Sequence, residues 1–338
     1  PRRTSSAASD VYKRQPVWII KIIFLNNQDV KRNFNFDHQS RALLYLMPKF
    51  NLHEISDDEI PKIRELITTK RKDLRLYKNT KFKIKKADHD IDGKNLILRE
   101  YIPNKIDNNN IILYFHGGGY VLNSIDTHDP TVSYFSENLR TKIYSLEYSL
   151  SPEKKFPIAQ EEALDALNWL IKQGNDIKNI SLCGDSAGAH LAASLSHYLS
   201  NNEQDNVHSQ FLLYPMCDPE CNSESHTIFS NGYLLTNNAM KWFWEKFNNT
   251  EKNCKNINTY NLLSLNGNIN IPQSIIVTAG FDPLSDEAEK YAFLLHEKNV
   301  NVKQLHYPTL FHGFATMTRL KSARRAVDDF LRAYKEIL

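Results

Sequence analysis

The stretch Gly184-Asp185-Ser186-Ala187-Gly188 of this 338-residue chain has the residue types and spacing for nucleophilic chemistry. A serine with glycines two positions away on either side suits a tight strand-to-helix turn that lifts the hydroxyl out of a sheet. A serine hydroxyl alone is a poor nucleophile and needs a base, with an acid to orient that base. Asp282 and His312 are the downstream candidates, each in a loop following an apolar run. The fourth element is His116-Gly117-Gly118-Gly119. Three glycines let backbone N–H groups converge without side-chain obstruction, and with the N–H of Ala187 they suit a developing oxyanion.

Glycine is otherwise scarce. The chain has 11, and six of them (117, 118, 119, 184, 188 and 313) lie in these motifs. Scattered turns do not explain that concentration. A phosphate-binding loop is excluded, because no Lys-Ser/Thr follows the glycines and no G-x-G-x-x-G spacing fits. Of the 12 histidines, His190 sits one turn into the helix after Ser186 and His306 lies inside a strand, so both suit the base role poorly. Asp286 and Glu287 compete with Asp282 but fall in the first turn of a following helix, where carboxylates serve the helix dipole.

The elements that must position these groups are legible from hydrophobic periodicity. Strands are predicted at 81–85, 96–102, 111–115, 143–148, 180–183, 211–214, 275–279 and 302–307. Helices are predicted at 41–73 (with Ser56 as an N-cap inside that range), 157–173, 187–198, 238–247 and 320–338. Pro157 opens the 157–173 helix and Gly174 closes it. Strands separated by helices imply a mostly parallel sheet covered on both faces. The Asn-rich excursion from 217 to 270 leaves the sheet and is a cap candidate.

Composition narrows the alternatives. Hydrophobic residues make up 41% and charged residues 24%, as in an ordinary globular protein. The net charge of +3 is too small for a nucleic-acid footprint. Residues 1–15 are expected to be a non-native adapter tail, and they hold Arg2, Arg3, Lys13 and Arg14 against Asp10. Without them, residues 16–338 are formally neutral. The apolar run Val17 to Leu25 is too short to span a bilayer, and no stable membrane insertion is expected. Four cysteines (183, 217, 221 and 254) are too few and too irregular for a disulfide scaffold or a zinc site. Cytoplasmic location, with a clipped signal peptide as the alternative, and the absence of cofactor and metal are expectations. A homodimer is left open.

With these motifs in place, the chain resembles the hormone-sensitive-lipase-like family of α/β-hydrolases, the esterases with an HGGG motif. Tyr148-Ser149-Leu150-Ser151-Pro152-Glu153 with Phe156-Pro157 is similar to the family's Y-R-L-A-P-E…F-P segment, with Ser149 at the arginine position. Gly232-Tyr233-Leu234-Leu235-Thr236 and Trp242-Phe243-Trp244 resemble its cap, and Thr278 to Leu284 resembles its acid-bearing strand. The resemblance implies one α/β-hydrolase domain over 16–338, a mostly parallel eight-stranded sheet with helices on both faces, and a helical cap from about 16–78 and 217–270. It assigns Ser186 as nucleophile, Asp282 as acid and His312 as base, with Gly117, Gly118 and Ala187 as the oxyanion hole. The implied reaction is hydrolysis of short or medium acyl esters. An arylformamidase, deacetylase or amidase on the same scaffold is the alternative. A non-catalytic receptor of this fold would lack the histidine that is present here as His312.

Overall fold

The computed structural model describes residues 30–47, 51–74, 84–249, 254, 257–267 and 269–338. Residues 1–15, the apolar run Val17 to Leu25 and residues 81–83 of the first expected strand lie outside the described residues. An eight-stranded sheet forms the centre, in the order β10-β9-β8-β7-β5-β6-β4-β3. The strands are β3 (Lys85–Asp90), β4 (Ile97–Ile102), β5 (Ile111–Phe115), β6 (Lys142–Leu146), β7 (Ile180–Asp185), β8 (Ser209–Leu213), β9 (Gln273–Phe281) and β10 (Val302–Phe311). Pairs β3·β4 and β4·β6 are antiparallel and the rest are parallel. The fold is that of an α/β-hydrolase. Strands β5, β7 and β8 are buried at every position, as central strands covered on both faces must be. Two apolar cores lie on either side of the sheet, and a third cluster lies beyond the ends of β9 and β10.

A two-residue hairpin, β1 (Val30–Lys31) and β2 (Phe34–Asn35), opens the described chain. The helices are α1 (His38–Leu46), α2 (Ile60–Leu74), α3 (Ile125–Leu139), α4 (Ile158–Lys172), α5 (Ala187–Asn201), α6 (Glu224–Ile228), α7 (Asn237–Phe247), α8 (Ser285–Glu297) and α9 (Lys321–Lys335). The single helix expected over 41–73 is divided into α1 and α2 by two short 3-10 turns. Ser56 does form a capping box with Glu59, as its position suggested.

Of the first expected strand only residues 84 and 85 are described. The observed β3 begins at Lys85, where the expected one ended, because pairing with β4 sets its register. Helix α3 was not expected from the sequence, although Ser124 caps its start in a capping box with Thr127. Pro130 interrupts it and Arg140 stands in a left-handed conformation where a glycine would mark the end. Tertiary contacts hold its start, with Ile125 N–H donating to Glu147 Oε2 at 2.7 Å.

The stretch that returns from the 217–270 excursion is fastened to α5 by three successive carbonyls. His197 Nδ1 meets Asn258 O at 2.9 Å, Ser194 Oγ donates to Thr259 O at 2.7 Å, and His190 Nε2 meets Tyr260 O at 2.9 Å. Residues 190, 194 and 197 share one helix face, so a single stripe can hold the turn at Asn258, Thr259 and Tyr260. Burial pushes both histidines down from 6.5 to about 4, which makes them neutral. Each therefore donates to its carbonyl and accepts from a tyrosine hydroxyl, Tyr120 at 2.6 Å for His190 and Tyr291 at 2.8 Å for His197.

Between about pH 4 and 6.5 the unfolded chain binds more protons at these histidines than the native chain. Stability should fall as the pH drops through that window, by on the order of 1–3 kcal/mol per histidine. Denaturant unfolding of wild type and His197→Gln at pH 5 and pH 7.5 measures this. The variant should show a shallower acid loss.

Candidate active site

All four motifs lie at the C-terminal ends of parallel strands, the crevice where open α/β sheets bind ligands. β7 ends at Asp185, and Ser186 follows at φ 55°, ψ −118° before α5 begins at Ala187. That backbone conformation is rare for a side-chain-bearing residue and costs on the order of 1–3 kcal/mol. The turn also brings α5 onto β5. A Cβ at Gly188 would stand 2.0 Å from Phe115 O, which accounts for the glycine at that position.

The structure brings Ser186, His312 and Asp282 together. His312 Nε2 is 2.9 Å from Ser186 Oγ, and His312 Nδ1 is 2.8 Å from Asp282 Oδ2. Asp282 Oδ1 accepts from Leu284 N–H at 2.9 Å, so the carboxylate is held at both oxygens. β9 is longer than its sequence suggests and delivers Asp282 directly from Phe281, as β10 delivers His312 from Phe311. Asp282 is fully buried, and Ser186 and His312 keep 8% and 7% of their surface, enough for a substrate to reach. The Tyr214 ring packs at 4.8 Å from the imidazole of His312.

The competing residues are engaged elsewhere. His306 Nδ1 meets Thr278 Oγ1 at 2.8 Å. Asp286 pairs with Arg32 at 2.6 Å, and Glu287 pairs with the buried His226 at 2.8 Å. Trp244 is buried against His190, Phe247 and Tyr260, so its ring packs the excursion onto α5. Cys183, Cys217 and Cys221 are buried free thiols. Among the described residues, no three His, Cys, Asp or Glu side chains are grouped to hold a metal ion. None of the described helices is long and apolar enough to cross a membrane.

One expectation is corrected. Gly117 was expected in the oxyanion hole, but its N–H donates to Asp185 Oδ1 at 2.9 Å. A donor committed to a buried carboxylate has no second proton for a substrate oxygen. The N–H groups of Gly118, Gly119 and Ala187 have no protein acceptor among the described residues. Gly118 and Gly119 take φ 133° and 63°, conformations that favour glycine.

Asp185 is the residue that sequence reasoning passed over. It is buried and accepts from Tyr114 Oη at 2.6 Å, with His128 Nε2 at 3.3 Å. Burial alone would raise its pKa, but His128, Tyr114 and the Gly117 N–H outweigh that and hold it well below the ordinary carboxylate range. Asp185 thereby ties the glycine loop to the end of β7. The only sequence signal was an acidic residue at the end of a buried strand. Its partner His128 lies on α3, a helix the sequence reading did not place.

This fold with this hydrogen-bonded Ser–His–Asp chain defines a serine hydrolase scaffold of the α/β type. A family model described as the α/β hydrolase fold matches residues 112–316. The chain belongs to that family, the hormone-sensitive-lipase-like α/β-hydrolase esterases. An ethyl acetate hydrolase of Pseudomonas putida is 31% identical over 234 residues, covering 67% of this chain and 73% of that protein. An arylesterase of Saccharolobus solfataricus is 31% identical over 237 residues, covering 69% and 75%. A hyperthermophilic esterase from the archaeon Pyrobaculum calidifontis superposes with a TM-score of 0.80 at 27% identity, over 89% of this chain and 98% of that one.

Replacing Asp185 by Ala should destabilise the protein by about 2–4 kcal/mol, since it removes the buried anion on which three donors converge. Thermal and denaturant unfolding measure the loss. A change under about 0.5 kcal/mol would show that the glycine loop holds itself.

Proposed function

We propose that the protein hydrolyses carboxylic esters of short or medium acyl chains through an acyl-enzyme on Ser186. The observation that carries this reading is the unbroken Asp282–His312–Ser186 hydrogen-bond chain beside three uncommitted backbone donors. His312 Nε2 takes the proton of Ser186 Oγ as the oxygen attacks the ester carbonyl. Asp282 holds the imidazole by its Nδ1–H and stabilises the imidazolium that forms. The carbonyl oxygen becomes an oxyanion that accepts from the N–H groups of Gly118, Gly119 and Ala187, each contributing about 3 kcal/mol to the transition state. Collapse expels the alcohol, which receives the proton from His312. Water then attacks the acyl-enzyme with His312 again as base, releasing the acid and restoring Ser186.

The reading of the two outer segments as a cap has support in their mutual packing. Lys246 of α7 lies 2.6 Å from Asp57, which precedes α2. Arg64 of α2 donates to Val121 O at 2.8 Å and grips Glu153 with two bonds of 2.8 Å, fastening the N-terminal segment beside the glycine loop. Phe243 of α7 lies against Gly119, where a Cβ would stand 2.2 Å from its ring. An aromatic wall beside an oxyanion donor favours modest acyl groups.

Hydrolysis of a p-nitrophenyl ester series by wild type, Ser186→Ala and His312→Ala tests the assignment. Both variants should lose about 10⁴-fold or more in kcat while keeping the wild-type melting temperature. Equal rates for wild type and Ser186→Ala would sink the reading. Matched amide and formanilide substrates, run in parallel, separate an esterase from an amidase or arylformamidase.

A further inference from the structure

The first described residues make three contacts that converge on the strand ends carrying Asp282 and His312. Arg32, in the turn between β1 and β2, donates to both oxygens of Asp286 at 2.6 and 2.9 Å and to Glu224 at 3.0 Å. Asp286 lies in the first turn of α8, just past Asp282. Phe36 is 4% exposed, and its ring centroid is 4.8 Å from Phe281, 6.0 Å from Phe311 and 5.3 Å from Tyr233. The N–H of Asp37 donates to Thr309 O at 3.0 Å.

These contacts fall where the sheet itself holds least. β10 is an edge strand, so it has a ladder partner on one side only. Its pairing with β9 is interrupted between Tyr307 and Phe311, directly before His312. A bulge of that kind re-aims the side chains that follow and leaves their direction to whatever packs there. Phe281 and Phe311 immediately precede Asp282 and His312, so a rotation of either phenylalanine is passed along the backbone to the acid or the base. The cluster around Phe36 (Leu43, Phe229, Tyr233, Phe281, Phe311 and Met317) is separate from the two cores that flank the sheet. Removing Phe36 would therefore loosen this end of the molecule while the sheet keeps its own packing.

We infer that residues 32–37 act as a strap that aims the acid–base pair. Phe36 is a positioning residue for Asp282 and His312, acting through Phe281 and Phe311, and Arg32 is its latch to α8. The kinetic part of this inference rests on the ester-hydrolase reading above, while the geometric part does not.

The test compares full-length wild type, Phe36→Ala, Phe36→Leu and Arg32→Ala. The readouts are kcat and KM on p-nitrophenyl acetate, the melting temperature, and the far-downfield NMR resonance of the His312 Nδ1 proton. Phe36→Ala should lower kcat about 10- to 100-fold, the size of effect that a misplacement near 1 Å produces. KM should stay within about threefold, because substrate contacts are unchanged. The downfield resonance should broaden or vanish in Phe36→Ala and return in Phe36→Leu together with most of kcat. Arg32→Ala should lose activity in the same direction by a smaller factor.

A folded Phe36→Ala with wild-type kcat and resonance overturns the inference. So does a change confined to KM, which would place Phe36 against the substrate instead. If Phe36→Ala does not fold, Arg32→Ala decides, and unchanged kcat and resonance there overturn the strap. Wild type no faster than Ser186→Ala would refute the ester reading alone, and the resonance would still decide the strap.

Discussion

A serine held at φ 55° between the end of β7 and the start of α5 is the constraint around which the rest is arranged. Such a backbone is unfavourable in isolation and persists only where its surroundings over-determine it. Here the surroundings are a fully buried strand on one side and a nearly fully buried helix on the other. Gly188 lets α5 approach the carbonyls of β5 closely, and Ser186 N–H donates to Leu213 O at 2.8 Å on the neighbouring strand β8. The consequence is chemical: the Ser186 hydroxyl stands at the end of the strand, 2.9 Å from His312 Nε2.

The partners of Ser186 are held by distinct means. Asp185, on the preceding residue, keeps the glycine loop in place through a buried, charge-assisted bond to Gly117. Asp282 and His312 arrive on the last two strands in the sheet order, where β10 has an open edge and an interrupted register. An aromatic cluster, with Phe36 at its centre, takes over there from the ladder. The stripe His190, Ser194 and His197 completes the arrangement by joining α5 to the return of the excursion. Ser186, His312 and the return of the excursion are thus joined through one helix and one sheet edge.

Much of this was legible in the chain itself. Fully buried strands such as β5 and β7 announce themselves as unbroken apolar runs, and α4 does so through its apolar spacing, Pro157 and Gly174. Where tertiary contacts outweigh local preference, the reading failed. Helix α3 tolerates Pro130 because its apolar side (Val132, Phe135 and Leu139) is buried against the sheet and Glu147 satisfies its start. β3 took its register from β4, which follows it after a short turn at Ile91–Gly93, so the pairing rather than the alternation of apolar residues set where the strand runs. Three glycines in a row said that backbone amides converge, without saying on which acceptor each one lands.

By itself the sequence determined which atoms are available: one serine in an elbow motif, an acid and a base after later strands, and a loop without side chains. These are local chemical facts, set by residue type and by the short-range sterics of glycine. Only the tertiary structure decided their use. It spent the Gly117 amide on Asp185, left those of Gly118, Gly119 and Ala187 without an acceptor among the described residues, brought His312 within 2.9 Å of Ser186 across 126 residues, and laid Phe36 against Phe281 and Phe311. The physical reason is that a hydrogen-bond donor serves whichever acceptor packing brings into line, and packing is a property of the whole chain.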